Sequence, residues 1–535
     1  MSLLRHSLSR GVSGGPKGRE FRLPAPVKGL NTRDALATMK KEYAVSLENF
    51  FPTDGLVRLR PGSRVFAETR GAVVSLIPHS DSLLAIVLET PPDQVALYRV
   101  QSGGVTRLQG GLTGLRWGFE EYRDHVAVFN RDRAGAQEPF RVLPNGAVET
   151  DAGFIKDPAA PDAYTFDPTL FARGLGFKSR LWVAEREDPL LWYTSFPGGV
   201  RGPMVPFDLG LASPGFQRVA GFGALTLDGG DGIDDYMAIV DESGTLLLYQ
   251  GLDPALTNQW HKRGTYRIGR PLGDEPLVTF GGDLLVITED GVVSVSRLAL
   301  GGRVRGSGAE VSNAVRSLFT ETAKTRAEVP GWCGTYYPEE SWILFQVPFG
   351  PPPELSGQQI VMNSQTGAWT TFSGMQAACW LPYQGSLYFG GEKAVHVVEP
   401  SGEDEVFEED AFVQRAIKGY AQPAFSRPGT GGDYLFTALQ AHLRTPVFSR
   451  YTLEGVTDYG PTGSPSILEG EAGVAGSSWA GLTWENWEWS TPTVSTDRWE
   501  LLQKEGSVIS VNLTAEGQGF ELAGFDLLYQ RRHTL

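Results

Sequence analysis

The sequence predicts an all-β chain in which one sheet unit recurs, and three observations carry that prediction: dense Gly and Pro punctuation, a repeated turn-and-strand phrase, and a shortage of long amphipathic helical patterns. The 535 residues include 66 Gly and 35 Pro with no collagen-like period, so many turns separate short apolar runs. An apolar share of 41% and an aromatic share of 11% supply a packed interior. A chain of this length exceeds one ordinary core, which predicts two or three domains.

In chain order, residues 1–20 (MSLLRHSLSRGVSGGPKGRE) are Gly/Ser-rich and basic, and read as a flexible arm. Residues 21–70 carry extended patterns expected to join a β platform. A repeat then fills residues 71–400. A short polar turn followed by an apolar strand occurs as PHSDSLLAIV from Pro78, EYRDHVAVFN from Glu121, GFKSRLWVAE from Gly176, DGIDDYMAIV from Asp231, TFGGDLLVIT from Thr279, YPEESWILFQ from Tyr337 and PYQGSLYFGG from Pro382. The spacings are 43, 55, 55, 48, 58 and 45 residues. Most units continue through a second turn into another strand, as in TEDGVVSVSRL after Thr288. Two hairpins in such a span make one four-stranded sheet, at the period of propeller blades. One such sheet cannot cover both its faces, so neighbours must stack, and radial closure hides their edges. The expectation is a β-propeller of six to seven blades, rather than an array of sandwiches with less regular spacing. Leu83, Val126, Leu181, Leu284 and Leu387 occupy one place after the turn and should be buried. After residue 400 the acidic stretch GEDEVFEEDAF (Gly402–Phe412) reads as a solvated connector. Alternating segments such as LFTALQAHLRTP and FELAGFDLLYQ then predict a β platform domain over 401–535.

Charge excludes some functions. With 47 basic against 62 acidic residues the net charge is −15, which speaks against a protein that grips DNA and leaves open a passage through which DNA slides. Cys333 and Cys379 lack any metal-ligand spacing and read as buried, reduced thiols. There is no apolar stretch of signal-peptide length at the N-terminus, and no run approaches the roughly 20 apolar residues of a membrane span. The chain is therefore expected to be made in a cytoplasm.

Each motif has a structural reading beside a chemical one. Asp228, Asp231, Asp234 and Asp235 lie in DGGDGIDD, where oxygen ligands could hold Ca²⁺. The segment lacks the full EF-hand spacing and precedes a strand, which favours a tight turn. Trp479, Trp484, Trp487, Trp489 and Trp499 could stack on sugars, but their spacing breaks the strand period, which favours packing or subunit contacts. Trp117 and Trp182 read as core. Arg303 and Arg305 in GGRVRGSG read as an exposed loop. Glu339–Glu340 sits in a repeat turn, unsuited to a glycosidase pair. No HExxH, GxSxG or Walker loop occurs. The expectation is a non-enzyme with no catalytic, cofactor-binding or metal-binding residues and no cofactor.

Several phrases together resemble one family. They are LPAPVKGLNTRDALATMKKEYAVSLENFFPTDGLVRLRPG (Leu23–Gly62), LDGGDGIDDYMAIVDESGTLLLYQGLDP, TFGGDLLVITEDGVVSVS and QQIVMNSQTGAWTTFSGMQAACWLPYQGSLYFGG. Within them stand a GLN phrase (Gly29–Asn31), an LENFFP phrase (Leu47–Pro52), an RPG phrase (Arg60–Gly62) and a VMNSQTGAW phrase (Val361–Trp369). This combination resembles the tail nozzle, or hub, proteins of short-tailed bacteriophages, also called tail tubular protein B or packaged-DNA stabilisation proteins. The resemblance spans most of residues 23–400, with a looser echo in the Trp-rich segment; the basic arm departs from it. It implies a virion tail protein, assembled in the host cytoplasm as a homohexameric ring below the portal and adaptor. Tail fibres or spikes are further implied neighbours. Genomic double-stranded DNA would be retained there and later ejected, without sequence-specific binding. The alternative is a propeller tail or receptor-binding protein that binds or cleaves glycans.

Overall fold

The computed structural model describes residues 18–90, 94–132, 137–228, 233–256, 258–301, 308–350, 356–445, 449–460, 467–472 and 498–532. The chain is a seven-bladed β-propeller with a β platform built onto its flank. Blade one is Ala72–His79, Ser82–Thr90, Gln94–Gln101 and Gly104–Leu112, each antiparallel to the next. Blades two to five follow in chain order over residues 117–149, 171–208, 219–267 and 277–294, with Phe154–Lys156 added in parallel at the outer edge of blade three. The first strands pack successively around the ring, and the first strand of blade seven, Cys379–Tyr383, closes on that of blade one. The repeated phrase is the hairpin between the first and second strands of each blade. Ser80–Asp81, Arg123–Asp124, Lys178–Ser179, Gly281–Gly282 and Gln384–Gly385 are two-residue turns. Both residues have positive φ in Lys178–Ser179 (45° and 59°) and Gln384–Gly385 (48° and 77°), the backbone that matches strand twist in tight hairpins. The second strands carry the apolar columns: Leu83, Val126, Leu181, Leu284 and Leu387 are at most 5% exposed.

The seventh blade differs from the sequence expectation. Its strands Cys379–Tyr383, Ser386–Gly390 and Ala394–Glu399 are completed by Gly62–Glu68, which pairs antiparallel from Ala394↔Glu68 to Glu399↔Gly62. Residues 62–68, assigned to the platform from sequence, therefore belong to the propeller. A strand borrowed from before blade one fastens the ring, because its neighbours at both ends are then hydrogen-bonded across the closure. The supposed acidic connector is also a hairpin, Glu403–Glu408 with Ala411–Ala416, docked beside Gly62–Glu68. Alternation explains it: Asp404 and Val406 turn inward and are buried while their neighbours face outward.

The platform combines both flanks of the repeat. One sheet runs Phe50–Pro52, Val57–Leu59, Glu521–Arg531, Tyr434–Arg444, Glu500–Gly506, with Arg19–Pro24 also on Glu521–Arg531. A second prolongs blade six, whose own strands are Cys333–Tyr337, Trp342–Val347, Ser356–Asn363 and Trp369–Ala377: beyond the last come Ala44–Glu48, Lys418–Pro423, Ile509–Glu516, Ser449–Thr457 and Ile467–Ala472. The core between them continues into the propeller without a break. Phe436, Leu513 and Phe525 of the platform, Ile287 of blade five, Phe345 and Trp369 of blade six, and Phe319 of the helix Arg316–Arg326 form one buried cluster. Among the described residues no helix is long and apolar enough to cross a membrane.

Candidate functional site

The motifs singled out from sequence do not converge. Asp234 and Asp235 receive Lys178 Nζ at 3.0 and 3.1 Å from the neighbouring blade's turn, so these two carboxylates act as an inter-blade tie. Asp228 begins, and Asp231 belongs to, the part of that loop outside the described side chains, as do Arg303, Arg305, Trp479, Trp484, Trp487 and Trp489; Trp499 is half-buried. Glu340 is ion-paired with Arg58 and Glu339 is exposed. Trp117 and Trp182 are buried, Trp182 stacking on Trp260 of the next blade with centroids 5.3 Å apart. Cys333 and Cys379 are free but half-buried rather than fully enclosed, on the wall of one cavity. Burial raises both thiols, Cys379 to about 12, so neither is a ready nucleophile.

Two places do bring chemistry-bearing residues together. The first is the joint between propeller and platform, where phrases from distant parts of the chain meet. Gly29 (φ 75°) lies against Trp369: an added Cβ would stand 2.3 Å from its carbonyl oxygen, so only glycine fits, and Leu30 N donates to that carbonyl at 2.7 Å. Asn49 adopts φ 57° and donates from Nδ2 to Ser373 Oγ (3.1 Å) and to the Lys418 carbonyl (2.9 Å). Its Oδ1 accepts from Ser373 N at 2.9 Å and from Arg60 Nε at 3.0 Å. Arg60 then forks onto Asp404, with Nη1–Oδ1 at 3.0 Å, and Ser63 Oγ donates to the same oxygen at 2.9 Å. Asn363 of blade six donates to the Pro52 carbonyl at 2.9 Å. Arg60, Asn49 and Asp404 are each at most 4% exposed. This is a fully bonded buried network, suited to fixing one relative orientation of two parts.

The second place is the mouth of the propeller axis on the face opposite the repeated hairpin turns. Residues just before the first strands and just after the second strands converge there around a cavity of about 300 Å³. Arg116 and Arg131 flank the first hairpin of blade two, Arg173 and Arg186 lie on blade three, Arg218 precedes blade four and Arg270 precedes blade five. Four of these cations have carboxylate partners: Arg116 with Asp274 at 3.1 Å, Arg131 with Glu275, Arg218 with Glu242, and Arg270 with Glu328. Among the described residues Arg173 and Arg186 donate only to carbonyl oxygens, of Asp274 at 3.2 Å and Asn130 at 2.7 Å. Arg186 is 5% exposed, and the Nε atoms of both are buried without a hydrogen-bond partner among the described residues. Arg173 follows a β-bulge at Phe171/Arg173, the irregularity that re-aims a side chain at a sheet edge. Burial, then the charge of Arg131, pushes its guanidinium down to about 10. A second cavity of about 210 Å³ adjoins the first, sharing Arg116, Arg131, Asp274 and Pro330, and is lined by Trp117, Trp332 and Trp380.

Sequence reasoning missed the arginine mouth. A signal existed: an arginine stands immediately before the first strand at Arg116 and Arg218, and immediately after the second at Arg131 and Arg186. Each alone reads as a solvated loop cation, and only ring closure gathers them.

No family model matches the chain, and no curated protein matches it in sequence. Among solved structures it is similar to BBS1N in complex with ARL6DN, soaked with lead, at 8% identity and TM-score 0.38, covering 64% of this chain and 97% of that one. It is also similar to the Cps50 (Swd1) β-propeller domain of Myceliophteria thermophila, at 11% identity and TM-score 0.35, covering 61% and 98%. These are distant likenesses to propeller domains, and the fold of this chain is a β-propeller bearing a β platform.

Proposed function

We propose that the chain is a non-enzymatic structural subunit of a short-tailed phage tail, the nozzle or hub, which assembles as a ring below portal and adaptor and lines the path of DNA. The observation that supports this reading is the joint. The GLN, LENFFP, RPG and VMNSQTGAW phrases that resemble the nozzle family lie far apart in sequence, yet they bond to one another across the joint: Gly29 bridges to Trp369, Asn49 accepts from Arg60, and Asn363 donates to the Pro52 carbonyl. A shared set of phrases is then a shared way of bolting a platform to a propeller. A rigid joint suits a ring subunit, because neighbouring copies close into a ring only if each holds the same internal angle. The test is electron microscopy of purified virions labelled on this chain, with the isolated protein added to portal–adaptor complexes. Label at the tail and rings on the adaptor are expected. An unlabelled virion, or a monomer with glycan affinity that ignores the adaptor, would overturn the reading.

A further inference from the structure

We propose that the arginine mouth of the propeller axis is a binding site for an oligophosphate group, held by Arg173 and Arg186 at its floor with Arg131 and Arg218 at its sides. The proposal goes beyond the nozzle reading and does not depend on it. Among the described residues Arg173 and Arg186 form no ion pair, the carboxylates of Asp274 and Glu275 acting on Arg173, and those of Glu187 and Asp132 on Arg186, only from beyond ion-pair distance, and each holds an unused buried N–H. Arg131 and Arg186 act on Arg173 as like charges, offset in part by Asp274 and Glu275. Six arginines against four ion-paired carboxylates leave the mouth with an excess of positive charge, which an anion in contact with Arg173 and Arg186 would offset.

The chemistry of the lining selects the anion. Guanidinium forks converge from three blades, so an occupant with oxygens on several sides is satisfied better than a planar carboxylate, which one fork already saturates. A volume of about 300 Å³ exceeds what one phosphate needs and suits a chain of two or three phosphoryl groups. The remaining wall residues, among them Val219, Ala220 and Pro271, include no aromatic ring on which a base could stack. The tryptophans lie in the adjoining cavity. Free oligophosphate and a nucleotide therefore share the same phosphate site and differ in what enters the second cavity.

Isothermal titration calorimetry with tripolyphosphate, ATP and citrate, at one fixed salt concentration, tests this. Saturable binding of tripolyphosphate is expected, with citrate weaker by roughly tenfold or more. ATP binding more tightly than tripolyphosphate would assign a base to the tryptophan cavity; equal affinity would leave the phosphate chain as the whole ligand. Arg173→Gln should weaken tripolyphosphate by roughly tenfold while leaving the melting temperature of the unliganded protein unchanged or raised, because it removes a repulsion. Arg186→Gln guards against a folding artefact at the first position and should lose affinity in parallel. Absence of saturable binding, citrate binding as tightly as tripolyphosphate, or affinities untouched by both substitutions would each overturn the site.

Discussion

Asp404 and Arg60 stand 344 positions apart and meet as an ion pair that water scarcely reaches. Such a pair adds little over an apolar one, yet breaking it strands a charge in a low-dielectric interior. Asp404→Asn should lower unfolding free energy by about 3–5 kcal/mol in urea titrations. A loss below about 1 kcal/mol would mean that Arg60 finds water after all. The acidic stretch around Asp404 was misread from sequence for a physical reason: composition reports what a segment averages, while one inward carboxylate is specified by a distant cation. Glu185 is a second residue whose state is set by burial. It is 2% exposed and pushed up to about 7, although Trp192 Nε1 donates to it at 2.6 Å. Unfolded, it titrates near 4.5. The folded form thus favours the proton, and stability present below pH 4.5 is lost as pH rises to about 7. His396 works the other way: burial lowers it to about 4 from 6.5, so its contribution is whole above 6.5 and lost as pH falls. Glu185→Gln keeps the acceptor and removes the titration. The variant should gain on the parent by on the order of 2 kcal/mol between pH 4.5 and 7. A constant difference between the two proteins across that window would refute the assignment.

At the scale of strands and hairpins, the second strand of each blade was the most legible element. It is covered on both faces by neighbouring blades, so it reads as a continuous apolar run behind a turn, as in LLAIV after Ser82 and LLVIT after Asp283. Leu284→Asp, at 1% exposure in the core between blades four and five, should cost on the order of 4 kcal/mol. Thermal melting would register it as a fall of many degrees, and a shift of a degree or two would mean the register is wrong. Outer strands were less legible. Gly62–Glu68 mixes buried and open positions without a continuous apolar run, a pattern equally suited to a platform edge; only its pairing with Ala394–Glu399 decides its membership. The arginine mouth was faint at this scale too, since Arg116, Arg131, Arg186 and Arg218 flank strands where any polar side chain is tolerated.

For the molecule as a whole, the shared core means that propeller and platform are not separable units. A fragment of residues 71–400 would lack the closing strand Gly62–Glu68 and would expose Ile287, Phe345 and Trp369, which pack in the cluster holding Phe436 and Leu513. It should aggregate or be degraded within minutes of adding a trace of protease, whereas the intact chain resists. A compact, protease-resistant 71–400 fragment would contradict the single core. The sequence revealed the repeat because every blade solves the same packing problem. It hid the joint because long-range pairing leaves no local period.

The closing strand also has a consequence in time. Synthesis proceeds at about 5–20 residues per second. Gly62–Glu68 therefore leaves the ribosome roughly 15–70 s before its partner Ala394–Glu399 exists. Arg19–Pro24 waits longer still for Glu521–Arg531, about 500 residues downstream. For that interval two strand edges stand open in a crowded cell, where an unpaired edge is a template for wrong partners. The middle blades can form while the chain grows, but neither the ring nor the platform can shut until translation is nearly done. Slow codons anywhere between Glu68 and Ala394 would prolong the exposure of the closing strand, whereas pauses after Glu399 would prolong only that of Arg19–Pro24.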